Sequence, residues 1–139
     1  MLHKGKILVV DDKLENIQVL YSLLGGEGYE VNAATNGPQA LKDVQNERPD
    51  LILLDVNMPK MDGFEVCKKL KAQSDTSRIP VIFITANNDD QKISEGFKAG
   101  AVDYVTKPIK TDELTSRINT HLQLQRAVLE AESANRAKD

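Results

Sequence analysis

The chain has 139 residues, 40% of them hydrophobic and 28% charged, with a formal net charge of −3. That is the size and mixture of one ordinary domain able to bury a core, and the acidic balance excludes a basic surface for nucleic acid through this segment. One cysteine, Cys67, excludes an intramolecular disulfide and reads as a small buried apolar side chain, no apolar run is long enough to span a membrane, and no leader-like stretch opens the chain, so a cytoplasmic domain is expected.

Ile7 to Val10 is a short, mostly β-branched run that ends at Asp11-Asp12 and predicts a first strand. Leu14 to Leu24 carries Leu14, Ile17, Leu20, Tyr21 and Leu24 at helical spacing. Asp12 and Glu15 read as a capping box at its start, and Gly25, Gly26 and Gly28 mark its end. Tyr29 to Ala34 is a second strand. Asn36 then opens a helix with Ala40, Leu41 and Val44 facing inward, until Pro49 stops it. Leu51 to Leu54 is too short for a helix and apolar throughout, which suits a strand buried on both faces, and it ends on Asp55. Asp62 and Glu65 open a third helix along which lie Phe64, Val66, Cys67 and Leu70. Pro80 precedes a fourth strand, Val81 to Thr85. After a polar turn, a fourth helix with Ile93 and Phe97 runs to Gly100. Val102 to Thr106 is the fifth strand, and Thr111 caps a last helix whose first turn holds Asp112 and Glu113.

Five strand-helix units in strict alternation imply an α/β domain: a parallel sheet with right-handed crossovers and helices on both faces. The last helix is the exception, since Leu114, Ile118, Leu122, Val128 and Leu129 continue an apolar stripe towards the chain's end. By about residue 130 the stripe fades into helix formers without core-sized side chains. A helix of that length is expected to project past the sheet, either as a frayed tail or as a linker to something larger.

The polar residues at the carboxyl ends of the predicted strands are Asp11 and Asp12, Asp55, Thr85 and Lys107. Ligands and chemistry gather at that edge in open α/β sheets. Three carboxylates held together repel unless a cation sits between them, and an open all-oxygen site suits magnesium. A hydroxyl and an ammonium beside them are donors in search of an anion. Together these are the groups that phosphoryl transfer needs: a nucleophile, and charge to neutralise the equatorial oxygens. Singly, Asp12 reads as a helix cap, Asp55 as a turn residue, Thr85 as a strand threonine and Lys107 as a solvated lysine. Four strands delivering these residue types to one edge argue against chance.

Two similar-looking motifs fail on spacing. The run from Asp55 begins like an EF-hand loop, but Pro59, Lys60 and Val66 stand where that loop needs an Asp or Asn, a Gly and a Glu. Haloacid-dehalogenase-type phosphatases resemble D-x-D, and Asn57 stands at the second position, removing their general acid.

I-L-V-V-D-D, D-L-I-L-L-D-V-N-M-P-K-M-D-G-F-E, P-V-I-F-I-T-A and G-A-V-D-Y-V-T-K-P closely resemble the receiver domain of bacterial two-component response regulators, over roughly Lys6 to Leu122. The resemblance implies a flavodoxin-like sheet of order 2-1-3-4-5 with five helices, and in this chain the last is extended beyond Leu122, where such domains usually end. It implies that Asp55 is the phosphoacceptor, served by a histidine kinase's phosphohistidine, and that Asp11 and Asp12 hold Mg2+ with Asp55 and the backbone carbonyl of Asn57. Lys107 would pair with the phosphate, across a cis Lys107-Pro108 bond. Thr85 and Tyr104 resemble the switch pair, with the fourth helix, fifth strand and fifth helix as the readout face. Asn57 and Asn87 stand where the family varies its turnover, which implies a phosphoryl lifetime well short of the family's longest.

On this reading residues 1–122 are the receiver. Residues 123–139 are an extended C-terminal helix or linker, similar to the one that enters a histidine kinase, leading towards a kinase or another effector outside this chain. A homodimer through the last helix is a further expectation, although Gln125 and Glu132 interrupt its stripe. The alternative is an autonomous phosphohydrolase with Asp55 as nucleophile, weakened by Asn57 and by the lack of an insertion that could cap a substrate. A flavin or nucleotide carrier on the same fold is weaker still, because Asp11-Asp12-Lys13 is acidic where a phosphate cradle is rich in Gly, Ser and Thr.

Overall fold

The structure, a computed structural model, describes residues 4–86 and 90–138, with the side chains of the last helix described as far as Glu132. Strands β1 (Lys6–Val10), β2 (Glu30–Ala34), β3 (Leu51–Asp55), β4 (Val81–Thr85) and β5 (Asp103–Thr106) alternate with helices α1 (Leu14–Gly26), α2 (Gly37–Asn46), α3 (Gly63–Lys71), α4 (Asp90–Ala99) and α5 (Thr111–Lys138). The strands pair in parallel in the order β2-β1-β3-β4-β5.

The apolar strands serve two cores at once because successive side chains point to opposite faces of a sheet. Leu8, Val10, Ile52, Leu54, Val81 and Phe83 face one way, against Ala40 and Val44 of α2, Val66, Cys67 and Leu70 of α3 and Ala99 of α4. Ile7, Val9, Leu51, Leu53, Ile82, Ile84 and Val105 face the other way, against Ile17, Leu20 and Leu24 of α1 and Leu114, Ile118 and Leu122 of α5. A continuous apolar run in β3 is therefore the one-dimensional trace of two buried faces.

Local signals hold in part. Asn36 and Asp62 cap their helices as expected, accepting from the N–H of Gln39 at 2.8 Å and of Glu65 at 3.0 Å. The capping box assigned to Asp12 and Glu15 does not form. Lys13 occupies that position without a side-chain bond, and its N–H donates to Asp11 Oδ1 at 2.9 Å. Leu14 and Tyr21 are also exposed, because the buried arc of α1 is closed by Ile17, Leu20 and Leu24 alone. In α4 the inward positions belong to Gly96 and Ala99, and Phe97 lies on the outside. A Cβ on Gly96 would come within 2.9 Å of the Phe83 ring, so this helix packs too closely for a larger side chain. Thr111 is the first residue of α5 and not its cap, and Val102 precedes β5.

At 28 residues, α5 is about 42 Å long at ~1.5 Å per residue. Beyond Leu122 it is tied back to the domain. Arg126 Nη2 donates to the carbonyl of Lys4 at 2.7 Å, and Glu132 pairs with Arg78. Leu129 lines a groove with Pro49 and Ile79, while still half exposed, as is Val128. Among the described residues, no helix is long and apolar enough to cross a membrane.

Candidate functional site

Parallel pairing sets β1, β3, β4 and β5 with their carboxyl ends at one edge of the sheet. The register fixes neighbours there, with Asp55 beside Ile84 and Thr85 beside Thr106. Ligand atoms of Asp11, Asp12 and Asp55 lie within 4.8 Å of one another. Lys107 reaches in from the end of β5, with Nζ 3.9 Å from Asp55 Oδ1. Its N–H donates to the Thr85 carbonyl at 2.8 Å, and the Lys107-Pro108 bond is cis, as expected. Strand ends thus gather acids and a lysine that lie as far apart in sequence as Asp11 and Lys107.

Each acid is held differently. Asp11 is buried and both its oxygens accept, from the N–H of Lys13 at 2.9 Å and from Asn16 Nδ2 at 3.0 Å. Asp55 is buried, with Oδ1 accepting from the N–H of Asn57 at 3.2 Å. Asp12 Oδ1 is buried and, among the described residues, has no hydrogen-bond partner. A buried carboxylate oxygen without a donor is costly to the fold unless a positive charge approaches it.

Burial drives the Asp55 carboxyl up to about 6, and the neighbouring Asp11 charge pushes in the same direction. Lys107 and the Asn57 N–H oppose that rise, and Asp12 adds a smaller push upward. Among the described residues, three acids facing one ammonium leave an excess of negative charge, and their available ligand atoms are oxygens. An orphaned Asp12 oxygen within such a group fits a hard divalent cation of the magnesium class.

Thr85 and Tyr104, the expected switch pair, lie on the flank of this site. Thr85 is buried at the end of β4, and Tyr104 on β5 shares a cleft with it, between Phe64, Phe83 and Phe97. The rings of Phe97 and Tyr104 meet edge to face at 6.1 Å, and the Arg117 guanidinium stands 6.0 Å above the Tyr104 ring. Arg117 Nη1 also donates to Asp103 Oδ1 at 2.7 Å, and His121 Nε2 lies 3.0 Å from Asp103 Oδ2. Burial alone would raise the Asp103 carboxyl, but these bonds and the Tyr104 N–H outweigh it and hold the carboxyl below its usual range.

Asn57 contributes its backbone N–H to Asp55 and its side chain is exposed; Asn87 falls outside the described residues. Two residues that shape the site escaped sequence reasoning. Asn16 is the third residue of α1, and helical side chains tilt towards the N-terminus, so it reaches back over the loop to Asp11. Gly63 begins α3 directly against the end of β3, where a Cβ would collide with the Asp55 carbonyl oxygen and lie 3.0 Å from Val56 Cα. Its N–H donates to the Val56 carbonyl at 3.0 Å. The spacing of Asp62 and Glu65 marks a helix start, but it does not reveal the close approach of Gly63 to the end of β3.

Comparison with known proteins agrees with this geometry. Residues 7–119 match the response regulator receiver domain family. The chain is 46% identical over 116 residues to the response regulator PleD of Caulobacter vibrioides, covering 84% of this chain and 26% of PleD. It is 42% identical over 118 residues to PhoP of Bacillus subtilis, an alkaline phosphatase synthesis transcriptional regulatory protein, covering 85% of this chain and 48% of PhoP. The chain thus spans about a quarter of one of these relatives and about half of the other. Among solved structures, the signal receiver domain of a signal transduction histidine kinase from Syntrophus aciditrophicus superposes with a TM-score of 0.80 at 38% identity, over 86% of this chain and 90% of that one. With its sheet order, its strand-end acids and this match, the chain belongs to the receiver domains of two-component response regulators.

Proposed function

We propose that Asp55 is the phosphoacceptor of this receiver and that a histidine kinase is its phosphodonor. The observation that carries this is one buried carboxylate set among two others within 4.8 Å and a lysine ammonium at 3.9 Å. An Asp55 carboxylate oxygen attacks phosphorus, the phosphorus–nitrogen bond of the phosphohistidine breaks, and its electron pair returns to the imidazole nitrogen. Lys107 and Thr85 take the equatorial oxygens. Asp11, Asp12, Asp55 and the Asn57 carbonyl would hold Mg2+, which when bound neutralises charge on the transferring group and on the acids themselves.

Thr85 and Tyr104 are then the two-state element that carries the change to the face made by α4, β5 and α5. The ring and guanidinium packed on Tyr104 support this, since moving the tyrosine disturbs contacts with both α4 and α5. The chemistry is confined to the domain's own aspartate. Residues 1–122 form the receiver and 123–139 a linker helix towards a kinase or effector, in a cytoplasmic protein. The core of the described domain closes at Leu122, which supports that boundary.

Intact mass after incubation with a small-molecule phosphodonor tests the site. One phosphoryl group should appear with Mg2+ present, and neither with a chelator nor in Asp55→Asn. Steady phosphate release without an adduct would instead support an autonomous phosphohydrolase, and no adduct with no release would end both readings.

A further inference from the structure

We infer that Asn16 is a positioning residue for the cation site: its carboxamide holds Asp11 in the ligating orientation before any cation arrives. This rests on the reading of Asp11, Asp12 and Asp55 as a divalent-cation site.

Asn16 Nδ2 donates to Asp11 Oδ2 at 3.0 Å, and Asp11 Oδ1 accepts from the N–H of Lys13. Asp11 is thereby clamped at both oxygens, while Asp12 Oδ1 has no partner among the described residues. The two acids thus divide the work. One is fixed by the protein and still has lone pairs to offer; the other is left for the ion to satisfy.

Helix capping does not account for the contact. The first turn of a helix leaves backbone N–H groups in need of acceptors, and a donated amide hydrogen satisfies none of them. Nor is Asn16 part of the buried stripe of α1, which consists of Ile17, Leu20 and Leu24. Its amide is neutral as well. A lysine or arginine here would hold Asp11 equally well but would cancel the charge that attracts a cation, whereas an amide orients the carboxylate and leaves its charge in place. Partners of ligating carboxylates commonly change metal affinity by about 10–100-fold when removed.

The test is Mg2+ titration by calorimetry of the whole chain, comparing wild type with Asn16→Leu, which keeps the volume and removes the donor, and with the smaller Asn16→Ala. Urea unfolding in chelator establishes that each variant is folded. Both variants should bind Mg2+ at least about tenfold more weakly than wild type, in line with the effect of losing such partners. Unchanged affinity in a folded variant overturns the inference, whatever has happened to its stability, because Asn16 would then serve the fold alone. A wild type that binds no Mg2+ overturns the cation-site reading itself, and this inference with it.

Discussion

Lys107 Nζ stands 3.9 Å from Asp55 Oδ1, close enough to attract and too far for a hydrogen bond. That distance explains why one lysine does not offset the burial of Asp55 beside Asp11, and why the carboxyl stays high at about 6. Asp55 therefore costs the fold stability when ionised. Its folded pKa lies above the unfolded one near 3.8, so the native state binds the extra proton between those values. Stability from this group is full below about pH 4 and is lost as pH rises through about 6. Without metal, Asp55→Asn should be more stable than wild type at pH 7.5, by an amount on the order of 2–3 kcal/mol. The difference should vanish near pH 4. Urea unfolding in chelator across that range reads it directly, and a pH-independent gap would contradict the assignment. Adding Mg2+ should narrow the gap at pH 7.5 by stabilising wild type.

Gly63 is a packing requirement of the site. A methyl group there meets the backbone of β3 at Asp55 and the Val56 backbone just beyond it, which no side-chain rotation can clear. Gly63→Ala should lose about 1–3 kcal/mol in urea unfolding, the usual penalty of an overfilled core. It should also bind Mg2+ more weakly, because the end of β3 must shift to make room. Wild-type stability in the variant would mean that α3 has slack at its start.

Lys60 has a φ of 68°, in the left-handed region where a side chain is crowded by its own backbone. Lys60→Gly removes that crowding at some cost in unfolded-chain entropy, so a net gain of about 0.5–1 kcal/mol is expected. Phosphodonor labelling should be unaffected, as the Lys60 side chain is exposed. Loss of stability on this substitution would show that Lys60 makes a contact worth more than its strain.

Beyond Leu122 the end of α5 is attached to the rest of the chain mainly by polar contacts. The apolar core ends at Leu122, and the remainder of the helix adds Arg126 on the Lys4 carbonyl, Glu132 with Arg78, and Leu129 in a shallow groove. A chain ending after Gln123 should stay folded, with a loss of no more than about 2 kcal/mol, since exposed ion pairs contribute roughly 0–1 kcal/mol each. Circular dichroism against urea measures this. Failure of the shortened chain to fold would make the last helix part of the domain itself.

The alternation of strands and helices, the two-sided core and the acidic edge were all legible in the sequence, because each depends on residue types at short, regular spacing. Four apolar residues at Leu51–Leu54 announce a buried strand, and the caps at Asn36 and Asp62 act within three residues of their own positions. The expectation failed where exposure depends on what packs against an element. Leu14, Tyr21 and Phe97 have the right periodicity, yet the sheet covers only part of each helix. Asp12 has the spacing of a cap, but its carboxylate belongs to a cluster assembled from the ends of β1 and β3.

Sequence by itself determined the alternation of strands and helices and which residue types reach the sheet edge, since hydrophobic period and strand ends are local properties of the chain, while the strand order was implied only by the family resemblance. Only the tertiary structure decided how those residues are held. Asp11 is clamped by Asn16, Asp12 has an oxygen without a partner among the described residues, and Asp55 is backed by Gly63. Contacts of this kind depend on helix tilt, close backbone approach and burial, which exist only once distant segments have packed together.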